Sequence, residues 1–118
     1  MKWAAPIIEW QQTLYYRLTG NHVYRERAAQ MRLHRTTGLW ISEHCLDRYC
    51  ERWRPYAARD EARATLTEML CAAEPVGHDV NWCRNDEVYT PSDPWMAGPI
   101  RLIVRAKTVV TILPLEPL

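Results

Sequence analysis

Ile100-Arg-Leu-Ile-Val-Arg-Ala-Lys-Thr-Val-Val-Thr-Ile-Leu113 decides the fold class. Its β-branched residues predict two strands, Ile100 to Arg105 and Thr108 to Leu113, that meet at Ala106-Lys107, so the described pattern closes on a hairpin. Ala-Lys is a poor two-residue turn, because both positions need a left-handed backbone; a longer loop or a bulge is one consequence. With a tight turn, Arg105 opposes Thr108, Ile103 opposes Val110 and Arg101 opposes Ile112. Thr111 then faces the core beside Leu102, Val104 and Val109, while Arg101 and Arg105 take the opposite face. Upstream, Val80-Asn-Trp-Cys83 and Glu87-Val-Tyr-Thr90 read as short strands around an Arg84-Asn85-Asp86 turn. Pro91 to Pro99, with three Pro and one Gly, reads as a loop.

Ahead of these strands the periodicity is helical. Ile7, Trp10, Leu14 and Leu18 predict an inward stripe on a helix that starts near Pro6 and stops at Gly20. A second helix runs from about Asn21, a suitable N-cap, to His34, with Gly38 beyond its end. Its apolar stripe (Val23/Tyr24, Arg27/Ala28, Met31) is thin and its polar face holds Arg25, Arg32 and Arg35, as in an exposed helix or docking arm. The third helix opens at Ser42 and stops before Pro55. Cys45, Leu46, Tyr49, Cys50 and Trp53 form its apolar arc, and His44, Arg48 and Arg52 form an i, i+4, i+8 stripe opposite. A fourth helix spans about Asp60 to Ala73, with Leu66, Met69, Leu70 and Ala73 inward. Helices followed by a small antiparallel sheet make an α+β class.

The chain has 118 residues, the size of one domain, and 47% are apolar, enough for a core. We read 1–118 as that domain, with 1–40 a helical extension or arm and 41–113 the α+β core. No run approaches the roughly 18 apolar residues of a membrane helix. The stretch Met1 to Glu9 is too short in apolar residues for a secretory signal, so a cytoplasmic protein with no membrane contact is the expectation. Net charge is only +1, yet the segment 17–59 carries nine Arg against four acids while 60–99 carries two Arg against eight acids. A basic first half can attract a polyanion; the two regions can equally pair with each other. Arg outnumbers Lys 13 to 2, which suits phosphate binding or reflects codon usage. The four Cys, at 45, 50, 71 and 83, contain no Cys-x-x-Cys pair and read as buried apolar groups, so no metal or other cofactor is expected. His78-Asp79 reads as turn chemistry.

The stretch Ile41-Ser-Glu-His44-Cys-Leu-Asp-Arg48-Tyr-Cys-Glu-Arg52, of the form His-x3-Arg-x3-Arg, is followed by a helix with Glu61-Ala62-Arg63 and Leu66, and then by the closing hairpin. This order resembles small phage and mobile-element proteins related to the RelE/barnase-like ribonuclease toxins, over residues 41–113. The resemblance implies helices ahead of a small antiparallel sheet and metal-independent cleavage of RNA. It makes His44 the acid/base and gives Arg48 and Arg52 the scissile phosphate. It also offers Arg101 and Arg105, and more weakly Thr111, as contacts from the last strands. His is the side chain whose ordinary titration suits proton transfer near neutrality, and Arg grips phosphate at two points.

The same pattern also describes an ordinary solvated helix face, with Arg48 paired to Glu51 or Glu43. A second functional class therefore stands beside the enzyme: a non-enzymatic phage inhibitor, anti-CRISPR-like, that binds and blocks a host nucleic-acid-processing complex. Its contact surface would be the basic, Trp- and Tyr-bearing segment 10–35, with Arg25, Arg32 and Arg35. The expected partner is RNA or a host nucleoprotein complex. A helix-turn-helix repressor has less support, because no short Gly-containing turn sets up a recognition helix.

Overall fold

The computed structural model describes residues 4–83 and 91–113, with side chains from residue 8 onward. In chain order the elements are α1 (Ala4–Thr19), α2 (His22–Thr37), β1 (Trp40–Ile41), α3 (Glu43–Trp53), α4 (Arg59–Leu70), β2 (Glu74–Pro75), β3 (Ser92–Ala97), β4 (Ile100–Arg105) and β5 (Thr108–Leu113). The class is α+β, helices first and a strand hairpin last. The sheet order is β1-β5-β4-β3-β2, antiparallel except that β1 lies parallel to β5, which makes the sheet mixed. One face of the sheet carries Leu102, Val104, Val109 and Ile112 into a core shared with Leu33, Leu39, Leu46, Leu66 and Leu70.

Local chemistry sets the helix ends. The Asn21 side chain accepts from the Val23 N–H, and Gly38 closes α2 at φ 73°, a left-handed position that suits Gly. Ser42 Oγ accepts from the Cys45 N–H at 3.0 Å and so starts α3. The backbone N–H of Ser42 also donates to the Val109 carbonyl at 3.1 Å, which ties the start of α3 to the sheet.

Several expectations need correction. Pro91 to Pro99 is not a loop, because β3 occupies Ser92–Ala97. Pro94 is tolerated there because its carbonyl turns toward β2 and accepts from the Val76 N–H at 3.0 Å. Its nitrogen points the same way, so the ladder to β4 loses no donor. Val80–Cys83 forms no strand. Glu87–Thr90 and the Arg84-Asn85-Asp86 turn lie outside the described residues.

The hairpin register also differs. Arg105 pairs with Thr108 and Val104 with Val109, but Ile103 then pairs with Thr111 and Leu102 with Ile112. Val110 is thus the extra residue of a bulge. The bulge lets Val109 and Ile112, three positions apart, both bury against the core, at 0% and 4% exposure. Thr111 is thereby turned away from the core, onto the face of Arg101 and Arg105.

The turn itself is tight, with Ala106 at φ 50° and Lys107 at φ 64°. Left-handed backbone costs an L-residue roughly 1–2 kcal/mol. Lys107→Gly is therefore expected to raise unfolding stability by about 0.5–1 kcal/mol, after loss of the Lys107 ammonium from its place over the Trp95 ring. Urea denaturation with an unchanged slope measures it; a midpoint at or below wild type would refute the strain.

α2 packs against α4 and carries α1 on its other side, so α2 is no arm. Ala28, Ala29 and Leu33 of α2 are buried, as is Ala64 of α4. These small side chains let the two helices approach closely enough for the Cys71 thiol to reach the Ala29 carbonyl at 3.6 Å. On α1 the expected inward stripe is only partly inward: Leu14 is partly buried, whereas Trp10 and Leu18 are 66% and 73% exposed. The Ile7 side chain lies outside those described. The inward side of α1 is polar and centres on Glu9. Its carboxylate, 13% exposed, takes Arg32 at 2.9 Å and Arg35 at 2.8 Å. Satisfying that partly buried carboxylate with two guanidinium groups outweighs the apolar pattern at Trp10 and Leu18 in orienting the helix.

Candidate functional site on the third helix

The buried side of α3 is Cys45, Leu46 and Tyr49, at 1%, 2% and 5% exposure. Packing them against β5 and α4 fixes the rotation of the helix and turns His44, Arg48 and Arg52 outward, all three exposed. The acids on the same helix have partners. Glu43 accepts from Arg59 at 2.7 Å and from Arg63 at 3.1 Å, and Asp47 accepts from Arg59 at 2.6 Å. Arg48 lies 3.5 Å from Glu51, a pair at 52% and 64% exposure that costs little to break. The outer face of α3 is thus a rigidly mounted imidazole with two cations one and two turns on.

The remaining sequence-predicted residues are not gathered here. Arg25 makes a two-pronged pair with Glu68 at 2.6 and 2.8 Å and reaches Thr65 Oγ1 at 3.2 Å, which clamps α2 to α4. Arg32 and Arg35 share Glu9. Of the expected pairing between the basic and acidic segments, Arg25–Glu68 is one instance. Arg101 and Arg105 sit on the sheet face turned away from the helices, where Arg105 Nε donates to Ser92 Oγ at 2.8 Å and Arg101 lies 5.9 Å from the Trp82 ring centroid. The sheet separates them from His44. Thr111, through the bulge, shares their face. His78 Nε2 lies 3.3 Å from Asp93 Oδ1.

No nucleophilic thiol accompanies His44. Burial pushes the neighbouring Cys45 thiol up to about 12, so it stays protonated. Among the described residues no group of three or more His, Cys, Asp or Glu is placed to hold a metal ion, and no helix is long and apolar enough to cross a membrane.

A groove elsewhere on the molecule was not visible in the sequence. A groove of about 440 Å³ runs between α1, α2 and β1, bounded by Ile8, Gln12, Gln30, Met31, Arg35 and Trp40. Its residues are scattered over three elements, and only the fold assembles them. Glu26 stands in its wall. Burial, foremost, raises the pKa of that carboxyl above its ordinary 4.5, against the opposing pull of Arg63 and Arg27. Protonation is thus easier in the folded state, so Glu26 destabilises the fold once pH rises through the window above 4.5, and this penalty disappears as pH falls below it. Glu26→Gln is expected to raise the melting temperature at pH 7 and to change it little at pH 4; equal shifts at both would contradict the burial effect.

Compared with known proteins, this chain matches no family model, no curated protein and no solved structure.

Proposed function

We propose that this chain is an RNA-binding, ribonuclease-toxin-like protein, of the kind carried by phages and mobile elements, that cuts phosphodiesters without a metal. One observation carries the reading: His44, Arg48 and Arg52 stand exposed on one face of a helix that is capped by Ser42 and anchored in the core. His44 takes the proton of a ribose 2′-hydroxyl, the freed oxygen attacks phosphorus, and the bond to the 5′-oxygen breaks. Solvent water protonates that leaving oxygen, which the open position of His44 permits. Arg48 and Arg52 hold the phosphate and offset charge as it builds on the non-bridging oxygens. The test is cleavage of single-stranded and structured RNA by wild type and His44→Ala with EDTA present. Cleavage by wild type that is lost in the variant supports the reading; cleavage retained by the variant, or dependent on metal, sinks it.

A second reading, a non-enzymatic inhibitor that blocks a host nucleic-acid-processing complex, is favoured by the outward face of α1. Trp10 and Leu18 are large apolar side chains left in solvent, as at a protein contact. Arg25, Arg32 and Arg35 contribute less to such a surface than their sequence suggests, since each already holds a carboxylate.

A further inference from the structure

The groove between α1, α2 and β1 contains two amide side chains with a stranded end. Gln12 Oε1, an acceptor, and Gln30 Nε2, a donor, are both buried and neither has a hydrogen-bond partner among the described residues. Both residues line the groove. Unsatisfied buried polar atoms are costly and uncommon, and two in one concavity, one of each polarity, mark a place where something else is meant to bond. Ile8, Met31 and Trp40 give the groove its apolar and aromatic surface, with Glu26 in the wall. Trp40 is 49% exposed; its ring lies 4.6 Å from that of His34, tilted by 38°, and leaves area open to a further flat group. At the rim, Arg35 is shared with Glu9, while Arg27 is exposed, lies 5.9 Å from the Tyr24 ring centroid and feels the Glu26 charge, but makes no direct ion pair among the described residues. The volume falls within the roughly 300–1,000 Å³ of small-ligand sites.

A nucleobase fits these features together. Every base offers a donor beside an acceptor on its pairing edge, a flat face for stacking, and a phosphate a few ångströms away for an arginine. We infer that this groove receives one unpaired base of single-stranded RNA, stacked on Trp40 and bonded through its pairing edge to Gln12 and Gln30, with the adjoining phosphate at Arg27. The stranded atoms are closed off from the groove surface as the side chains stand, so Gln12 and Gln30 must both swing toward the base to meet its edge. The Glu26 carboxylate in the wall keeps the phosphate at the rim and the base inside. A base in Watson–Crick pairs has its edge occupied and cannot enter. This rests on the RNA reading of α3 and adds to it an anchoring subsite on the N-terminal helices, apart from the cleavage face.

The test measures affinity by fluorescence anisotropy for a short labelled single-stranded RNA and for the corresponding duplex, with wild type, Trp40→Leu, Gln30→Leu and His44→Ala. Trp40→Leu should weaken single-stranded binding by roughly 5- to 150-fold, the range for loss of one stacked base, and leave duplex binding unchanged. Gln30→Leu should also weaken single-stranded binding while raising the melting temperature, since it removes an unsatisfied buried donor. A purely structural Gln30 would alter melting and not affinity. If single-stranded binding is unchanged in both groove variants, or duplex binding falls equally, the subsite is overturned, while loss of cleavage in His44→Ala would leave the α3 reading standing. If wild type binds neither RNA, both readings fall.

Discussion

His44→Ala is expected to lower RNA cleavage by roughly 10²–10⁴-fold, the usual contribution of one positioned acid/base. The fold should not change, because the imidazole is exposed and makes no contact that α3 needs. Ser42 still caps the helix, and Cys45, Leu46 and Tyr49 still seat it. The melting temperature is thus the control: a variant with lost cleavage and wild-type melting has lost chemistry, whereas one that melts early has lost structure. Arg48→Ala should act differently. It releases Glu51 from an exposed pair and removes one phosphate contact. The logarithmic salt dependence of single-stranded RNA binding should then flatten by about 0.7, while an Arg that served only its ion pair would leave that slope where it was.

Leu66→Ala is expected to destabilise the protein by about 2–5 kcal/mol. Leu66 is fully buried, in a core with Leu33 and Leu39 from the N-terminal half and Leu102, Val104 and Val109 from the sheet. Truncation leaves a void lined by at least three elements that cannot all move in to fill it. The sequence marks Trp53 as an equal, since it lies on the same apolar arc as Tyr49. In the fold Trp53 stacks on Tyr49 with ring centroids 5.8 Å apart but keeps 36% exposure at the end of α3. Trp53→Ala should therefore cost less than Leu66→Ala, and a larger loss by denaturant titration would show that the core extends over the end of α3.

What the sequence determined by itself was local. Asn21, Gly38 and Ser42 set helix ends because capping needs only a side chain or a backbone conformation within a few residues. The α3 face carrying His44, Arg48 and Arg52 follows from helical period and a clear apolar arc. The strands Ile100–Arg105 and Thr108–Leu113 follow from β-branched content. These are enough for the α+β class.

Tertiary structure decided everything that required a distant partner. The bulge at Val110 exists because Val109 and Ile112 both fit the core, a fact about what lies beneath the sheet rather than about strand alternation. Pro94 sits in a strand because its nitrogen faces away from β4, which no local rule discloses. The orientation of α1 follows a partly buried carboxylate with two arginines from another helix, and this left Trp10 and Leu18 of the apolar stripe in solvent. The same long-range pairing took Arg25, Arg32 and Arg35 into internal contacts. It also formed the Trp40 groove from residues that have no common period, because a concavity belongs to the packing of elements and not to any one of them.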